Sequence, residues 1–178
     1  DMVIGDSAGG ASALTLHLIA QGHRDIAYYG TVKATSSIME RYLGFASEML
    51  RNDLPIRPEC VLPDRTDDNI VTLPALPKKL PTAFVCNCDL TARALVECLR
   101  AKGLRVPEDL SVAGFDESRF TALTRPRLTT VAQDTERMGR QAALYLIDRI
   151  ENPRTAGSET GIVPTKLVAG ESVGKVKA

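Results

Sequence analysis

The chain has 178 residues, 44% of them hydrophobic and 25% charged, the ordinary make-up of a globular domain large enough to bury a core. Lys plus Arg and Asp plus Glu number 22 each, and a formal charge of zero argues against this segment gripping nucleic acid by itself, because phosphate binding needs a basic surface. No apolar run approaches the ~20 residues of a membrane span, nothing at the start reads as a signal peptide, and Cys60, Cys86, Cys88 and Cys98 have neither zinc spacing nor a disulfide-scaffold setting, so they read as reduced thiols of a cytoplasmic protein.

Strand and helix alternate along the chain. Val3–Gly5 reads as a short strand that begins almost at the first residue, which is expected of a segment cut from a longer protein. Ser7 or Asp6 is placed to cap the next helix, whose apolar stripe is Ala11, Leu14, Leu18 and Ile19 and which Gly22 ends. Asp25–Gly30 is the second strand, and a helix follows over about Ser37–Asn52 with Ile38, Tyr42, Phe45, Ala46, Met49 and Leu50 inward. Cys60–Leu62 is a third strand. Asp67–Leu80 falls where the alternation calls for a helix, but Pro74 and Pro77 predict a short or broken one. Thr82–Asn87 is a strand, about Leu90–Lys102 a helix stopped by Gly103, Leu110–Gly114 a strand, and Phe115–Ser118 a loop. Leu128–Ala132 is a strand and Thr135–Glu151 a long helix ended by Asn152-Pro153. Arg154–Gly161 is a polar loop, Ile162–Ala169 a last strand, and the remainder a polar tail.

Strands alternating with helices of this length make βαβ units, hence an α/β fold with a parallel sheet covered by helices on both faces. Apolar runs such as Ala83–Cys86 fit central strands buried on both sides. Ligands of open parallel sheets bind beyond the carboxyl ends of the strands. Asp6 follows the first strand, and Ser36, Ser37 and Arg41 come after the second. Asp64-Arg65 follows the third, Asn87-Cys88-Asp89 the fourth, and Phe115-Asp116-Glu117 the next. Carboxylates and an arginine gathered on one rim suit the hydroxyls and amides of a small polar molecule, since the carboxylates accept and the guanidinium donates. Simpler roles remain open. Asp6 and Asp89 stand where helices begin and suit caps, Arg41 on a helix suits a solvated surface, and Asp116 suits a turn. His17 and His23 lie in or just after the first helix, away from that rim; His23 suits interaction with the helix dipole. No GxSxG, P-loop or GxGxxG is present, so neither an enzyme nor a cofactor or metal site is expected. Cys86 and Cys88 are two apart and would share a face, as small side chains rather than a redox pair.

Five runs in order carry a family resemblance: His17–Gly30 (HLIAQGHRDIAYYG), Ser36–Phe45 (SSIMERYLGF), Pro81–Ala92 (PTAFVCNCDLTA), Gly103–Ser118 (GLRVPEDLSVAGFDES) and Pro126–Asp134 (PRLTTVAQD). Together they resemble the effector-binding domain of lactose-repressor-type transcription regulators. The resemblance implies a periplasmic-binding-protein-like (type I) fold, in which two α/β subdomains joined by three crossings close on a small molecule. It implies that residues 1–132 are mainly the C-terminal subdomain and that 133–161 are a crossover and a helix of a mostly absent N-terminal subdomain. Residues 162–178 would be a return strand and tail. The helix 135–151 should then expose Ala142, Leu146 and Ile150, having lost the sheet it covers. By position, Arg41 is the effector-clamping arginine and Asp116 the effector-binding acid of the Gly-Phe-Asp turn. Asp89 is the acid of an Asn-Asp turn whose asparagine is replaced here by Cys88. Arg65 falls where many members carry an aromatic ring, and an arginine there points to an anionic effector. Asp6 and Ser37 complete the expected set.

The function so implied is allosteric. A small-molecule effector (sugar, sugar acid or sugar phosphate) shifts the relative population of subdomain orientations, and a homodimer passes this to operator DNA through a headpiece outside the chain. The alternative is a periplasmic sugar-binding protein serving a transporter, which upstream sequence would distinguish; an enzyme using Cys88 or Asp116 is the third reading.

Overall fold

The computed structural model describes residues 1–68, 70, 72–153 and 158–176. Its centre is a four-stranded parallel sheet in the order β3 (Val61–Leu62), β2 (Ile26–Tyr29), β4 (Ala83–Cys86), β5 (Ser111–Ala113). The segment after Leu128 continues it beyond β5: Thr129 pairs in parallel with Ala113, and the Gly114 and Asp116 amides donate to the Thr129 and Val131 carbonyls. Strand alternation sends Ile26, Tyr28, Ala83 and Val85 to one face, where α1 (Ser7–Ala20) and α2 (Ser36–Arg51) cover them with Leu14, Leu18, Phe45 and Met49. Ala27, Tyr29, Phe84 and Cys86 go to the other face, under Leu95 and Leu99 of α3 (Asp89–Ala101). All eight β2 and β4 residues are buried, which is why those runs are continuously apolar. Each large side chain so buried contributes about 1.5–3 kcal/mol.

Local chemistry sets the helix ends. Asp6, rather than Ser7, caps α1 by accepting from the Gly9 amide, and Thr35 caps α2 by accepting from Ile38. Gly22 and Gly103, with φ of 94° and 78°, make the left-handed exits after α1 and α3. The two helices on the first face touch closely because position 44 is glycine; a Cβ there would overlap the Ala8 carbonyl oxygen.

Two smaller sheets complete the chain. β1 (Met2–Gly5) pairs in parallel with β7 (Thr160–Val163), and β6 (Thr130–Gln133) pairs antiparallel with β8 (Thr165–Val168). The single last strand expected over Ile162–Ala169 is thus two strands in different sheets, broken at Pro164, which has no N–H to donate. β1 runs into α1 through Asp6, β6 runs into α5 (Thr135–Glu151) through Asp134, and β7 runs into β8. Three chain segments therefore pass side by side between the large sheet and a unit made of α5, β1 and β7.

No residue of α5 is buried. Ala142 is exposed, and Leu146 and Ile150 are 62% and 70% exposed, the exposure expected from the sequence. The helix expected over Asp67–Leu80 is absent among the described residues. Thr72 is tied there by its carbonyl to the Tyr29 hydroxyl and by its amide to the Asp64 carbonyl, and Pro74 and Pro77 disfavour a helix. A short helix not anticipated, α4 (Arg119–Leu123), follows the Asp116 turn. Of the polar loop expected over 154–161, residues 154–157 lie outside the described residues and 160–161 already belong to β7. No helix among the described residues is long and apolar enough to cross a membrane.

Candidate functional site

The carboxyl ends of β2, β4 and β5 converge on Arg41. It lies in the second turn of α2, whose first turn Thr35 pins just beyond β2. Its side chain is buried against the sheet rather than solvated, with the guanidinium carbon 3.9 Å from the centre of the Phe115 ring, a cation–π stack. Nη1 donates to the Asn87 carbonyl (2.6 Å) and Nη2 to Asp116 Oδ1 (2.8 Å). Nε is buried and has no protein partner. A buried donor left unpaired is costly, on the order of 1–3 kcal/mol.

Asp116 sits at φ 104° and Glu117 at φ 47°, a left-handed pair that turns the chain sharply after β5. That turn swings the Asp116 carboxylate back over the sheet edge. Its Oδ1 also accepts from the Gln133 side-chain amide (2.8 Å), on the crossing strand β6, while Oδ2 accepts no hydrogen bond from the described residues. Gln133 in turn abuts Gly5 at the end of β1. Arg41, Gln133, Gly5, Ser7, Ser36, Ser37 and Glu40, with the apolar Met2–Ile4 and Met138, line a cavity of about 370 Å³. Arg41 and Ser37, named from the sequence, thus meet on one wall, and Asp116 is bonded to it; Gln133 was not foreseen, because it lies on a strand that the periodicity marks only as a buried run.

The remaining sequence candidates take other places. Asp6 is committed to its cap. Asp89 is buried as the first residue of α3, not its cap, and both its oxygens are used within the fold: Ser118 N and the Thr121 hydroxyl donate to Oδ2 and the Thr130 hydroxyl donates to Oδ1. Burial pushes its pKa up against those hydrogen bonds, with the Asp116 charge adding to the rise. Asp89 is therefore a brace beneath the Asp116 turn. Cys88 holds the cap position of α3, half-buried, with its amide donating to Thr91 Oγ1 (3.3 Å). Arg65 is paired to Asp64 (2.9 Å), and Asp64, fully buried, also accepts from the Thr31 amide (2.7 Å) and the Asn87 side chain (3.1 Å). Burial raises the Asp64 pKa, but the bonds from Arg65, Thr31 and Asn87 outweigh it and hold it at about 2.

Asn87, placed on the rim by the sequence but given no role there, is the hub. Its carbonyl takes Arg41, its amide holds Asp64, and its side-chain oxygen accepts from Thr91 (2.6 Å). One network thus runs from Arg65 through Asp64, Asn87, Arg41 and Asp116 to Gln133. Neither histidine is part of it. His23 is buried at the opposite end of the sheet, Nε2 donating to the Gly174 carbonyl and Nδ1 near Thr82 Oγ1, each at 3.0 Å. Burial lowers its pKa against the Gly174 bond, so it is a neutral structural ring and not a cation on the helix dipole.

The sequence and fold have known counterparts. The model of the periplasmic binding protein-like domain matches residues 15–173. The chain belongs to that family. It is 34% identical over 164 residues to the HTH-type transcriptional repressor PurR of Glaesserella parasuis serovar 5, an alignment covering 89% of this chain and 48% of that protein. Among solved structures it is similar to a transcriptional regulator CelR–cellobiose complex (29% identity, TM-score 0.81, 96% of this chain and 53% of that one). It is similar also to a regulator of the lactose-repressor family from Enterococcus faecium with bound ribose (25%, TM-score 0.81, 99% and 66%). The chain spans about half the length of the curated relatives it matches.

Proposed function

We propose that this chain is the larger part of the effector-sensing domain of a cytoplasmic, DNA-binding transcription regulator. It binds a small polar molecule, a sugar or a derivative such as a sugar acid or phosphate, and catalyses no reaction. The observation that carries this reading is Arg41, held between Asn87 and Asp116 with its Nε unpartnered, beside a cavity walled by two of the three crossing segments. A molecule seated there touches the large sheet and the crossings at once, so its binding energy depends on their relative orientation. That is the requirement for an allosteric coupling, typically ~1–3 kcal/mol.

Residues 1–132 form the C-terminal subdomain in this reading. Residues 133–161 cross to a second subdomain and supply one of its helices, and 162–178 return. The bare α5 face and the open edges of the β1–β7 pair support it, since both await a sheet from elsewhere in a longer protein. The protein acts as a homodimer, because paired half-sites on operator DNA need paired headpieces, and the headpiece lies outside this chain. Relatives named as transcriptional repressors and regulators favour this over a transporter's binding protein.

The test is a thermal-shift screen of the full-length protein against sugars, sugar acids, sugar phosphates and nucleobases, followed by calorimetry on hits. One ligand is expected to raise Tm and change operator affinity, and Arg41→Ala to weaken its binding by about 100-fold, a loss of about 2.7 kcal/mol, with the circular dichroism unchanged. Unaltered affinity in that variant, or turnover of the ligand, sinks the reading.

A further inference from the structure

We infer that the outward face of α1 and α2 packs against the same face of a second copy of this chain. A helix lying on a sheet ordinarily carries its charges on the side away from the sheet. α1 has none there: from Ser7 to Ala20 it contains no Asp, Glu, Lys or Arg, and its exposed residues are Gly9, Ala13, Leu16 and Ala20. In α2, between the end residues Ser36 and Arg51, the exposed residues are Met39, Leu43 and Leu50, at 40%, 55% and 78%. Steps of four and seven residues align these three in one stripe along the helix. The two exposed surfaces are neighbours. Ala8 packs beside Gly44 and Ser12 bonds to Glu48 (2.6 Å), an alignment that sets Leu16 nearly level with Leu50.

α5 is bare for a different reason. The subdomain proposed to lie outside this chain continues from α5 and the β1–β7 pair, whereas α1 and α2 already have their sheet, with Leu14, Leu18, Phe45 and Met49 buried against it. A contiguous apolar surface on a helical layer that is otherwise complete marks a protein interface. The charges beside it select the occupant. Glu40, which also borders the cavity, and Arg51, whose side chain is 70% exposed beside Glu48, stand on one flank of the α2 stripe near its two ends. Two α2 helices laid antiparallel across a two-fold axis near Ala46 and Ser47 set Leu43 of each over Leu50 of the other. The same operation brings Glu40 of each copy to Arg51 of the other, and the small Ala46 and Ser47 at the centre allow close approach. Parallel helices would set Glu40 on Glu40 and Arg51 on Arg51. The face is therefore self-complementary, as an isologous contact requires.

The experiment is sedimentation equilibrium of the full-length protein across a concentration series, with neither effector nor DNA present, so that its outcome is independent of the cleft. Leu43→Glu/Leu50→Glu alters exposed side chains alone and is expected to leave the far-ultraviolet circular dichroism unchanged. It is expected to weaken self-association at least about 30-fold, the size of losing central apolar anchors, so that the assembly falls to half its mass at concentrations where the parent stays intact. Arg51→Glu is expected to weaken association in the same direction, and Glu40→Arg/Arg51→Glu to restore it, because exchanging both charges re-forms both pairs. A parent that is monomeric throughout overturns the inference. So does a Leu43→Glu/Leu50→Glu protein with the parent's mass at every concentration, whether another segment of the full-length protein or a different protein is then found on the face. Failure of the double charge exchange to recover what Arg51→Glu loses overturns the antiparallel self-contact as well.

Discussion

Arg41 and Asp116 are 75 positions apart in the chain and 2.8 Å apart in space, and their meeting depends on residues with no chemistry of their own to offer a ligand. Asp89 is the chief of these, because three donors from the Asp116 turn, α4 and β6 converge on it. Asp89→Ala leaves them unpaired in the interior and is expected to lower stability by about 3 kcal/mol or more, read as a drop in the urea midpoint with the slope unchanged. Asp64 makes a pH-dependent contribution. Its folded pKa, about 2, lies below the ordinary 3.8, so the stability it supplies is present above about pH 4 and is lost as pH falls through 2. The difference corresponds to about 2 kcal/mol, and Asp64→Asn should flatten the acid limb of the stability profile in that window. Arg41, Asp116 and Ser37 were legible in the sequence because they follow strand ends. Asn87 was placed on the same rim but without a role, and Gln133 was not placed there at all, since the role of an amide is set by partners that only the folded chain brings near.

Among the elements, α1, α2, α3 and α5 fall within a residue or two of their sequence-derived bounds, because each has an apolar stripe and a cap or glycine at its ends. The failures have local causes. Pro164 divides a run that looks like one strand, and α4 is too short to show a stripe. The α1–α2 contact is the most sensitive place in this layer. Gly44→Ala should destabilise by about 2 kcal/mol or more, since backbone rather than a flexible side chain stands in the way. The clamp at the other end of the sheet titrates. The His23 pKa lies below the usual 6.5, so its contribution is complete above about pH 6.5 and declines as pH falls through the lowered value. A His23→Gln variant should lose less stability than the parent between pH 7 and pH 5 in urea titrations. For α5, Leu146→Ser and Ile150→Ser should shift the stability of this 178-residue chain by no more than about 0.5 kcal/mol, as exposed positions do. A loss of about 1–3 kcal/mol each in the longer protein would mark them as covered there.

At the scale of the whole molecule, the described cavity is walled on one side by the large sheet and its helices and on another by the crossings. If the rest of the cleft comes from outside residues 1–178, this chain alone should bind the effector at least about 100-fold more weakly than the full-length protein, about 2.7 kcal/mol. Equal affinities in calorimetry would show that the half-site is sufficient.

The segment 170–176 has a consequence for biogenesis. Ser172 bonds to both the carbonyl and the amide of Val112 and to the Thr129 amide, while the Gly174 amide reaches Ser111, so this stretch stitches β5 to its outer neighbour. A nascent polypeptide cannot close that seam until residue 172 has emerged from the ribosome. Until then β5 offers raw backbone to any passing strand, and translation that stalls within the last helix should leave a species that seeks chaperones or aggregates.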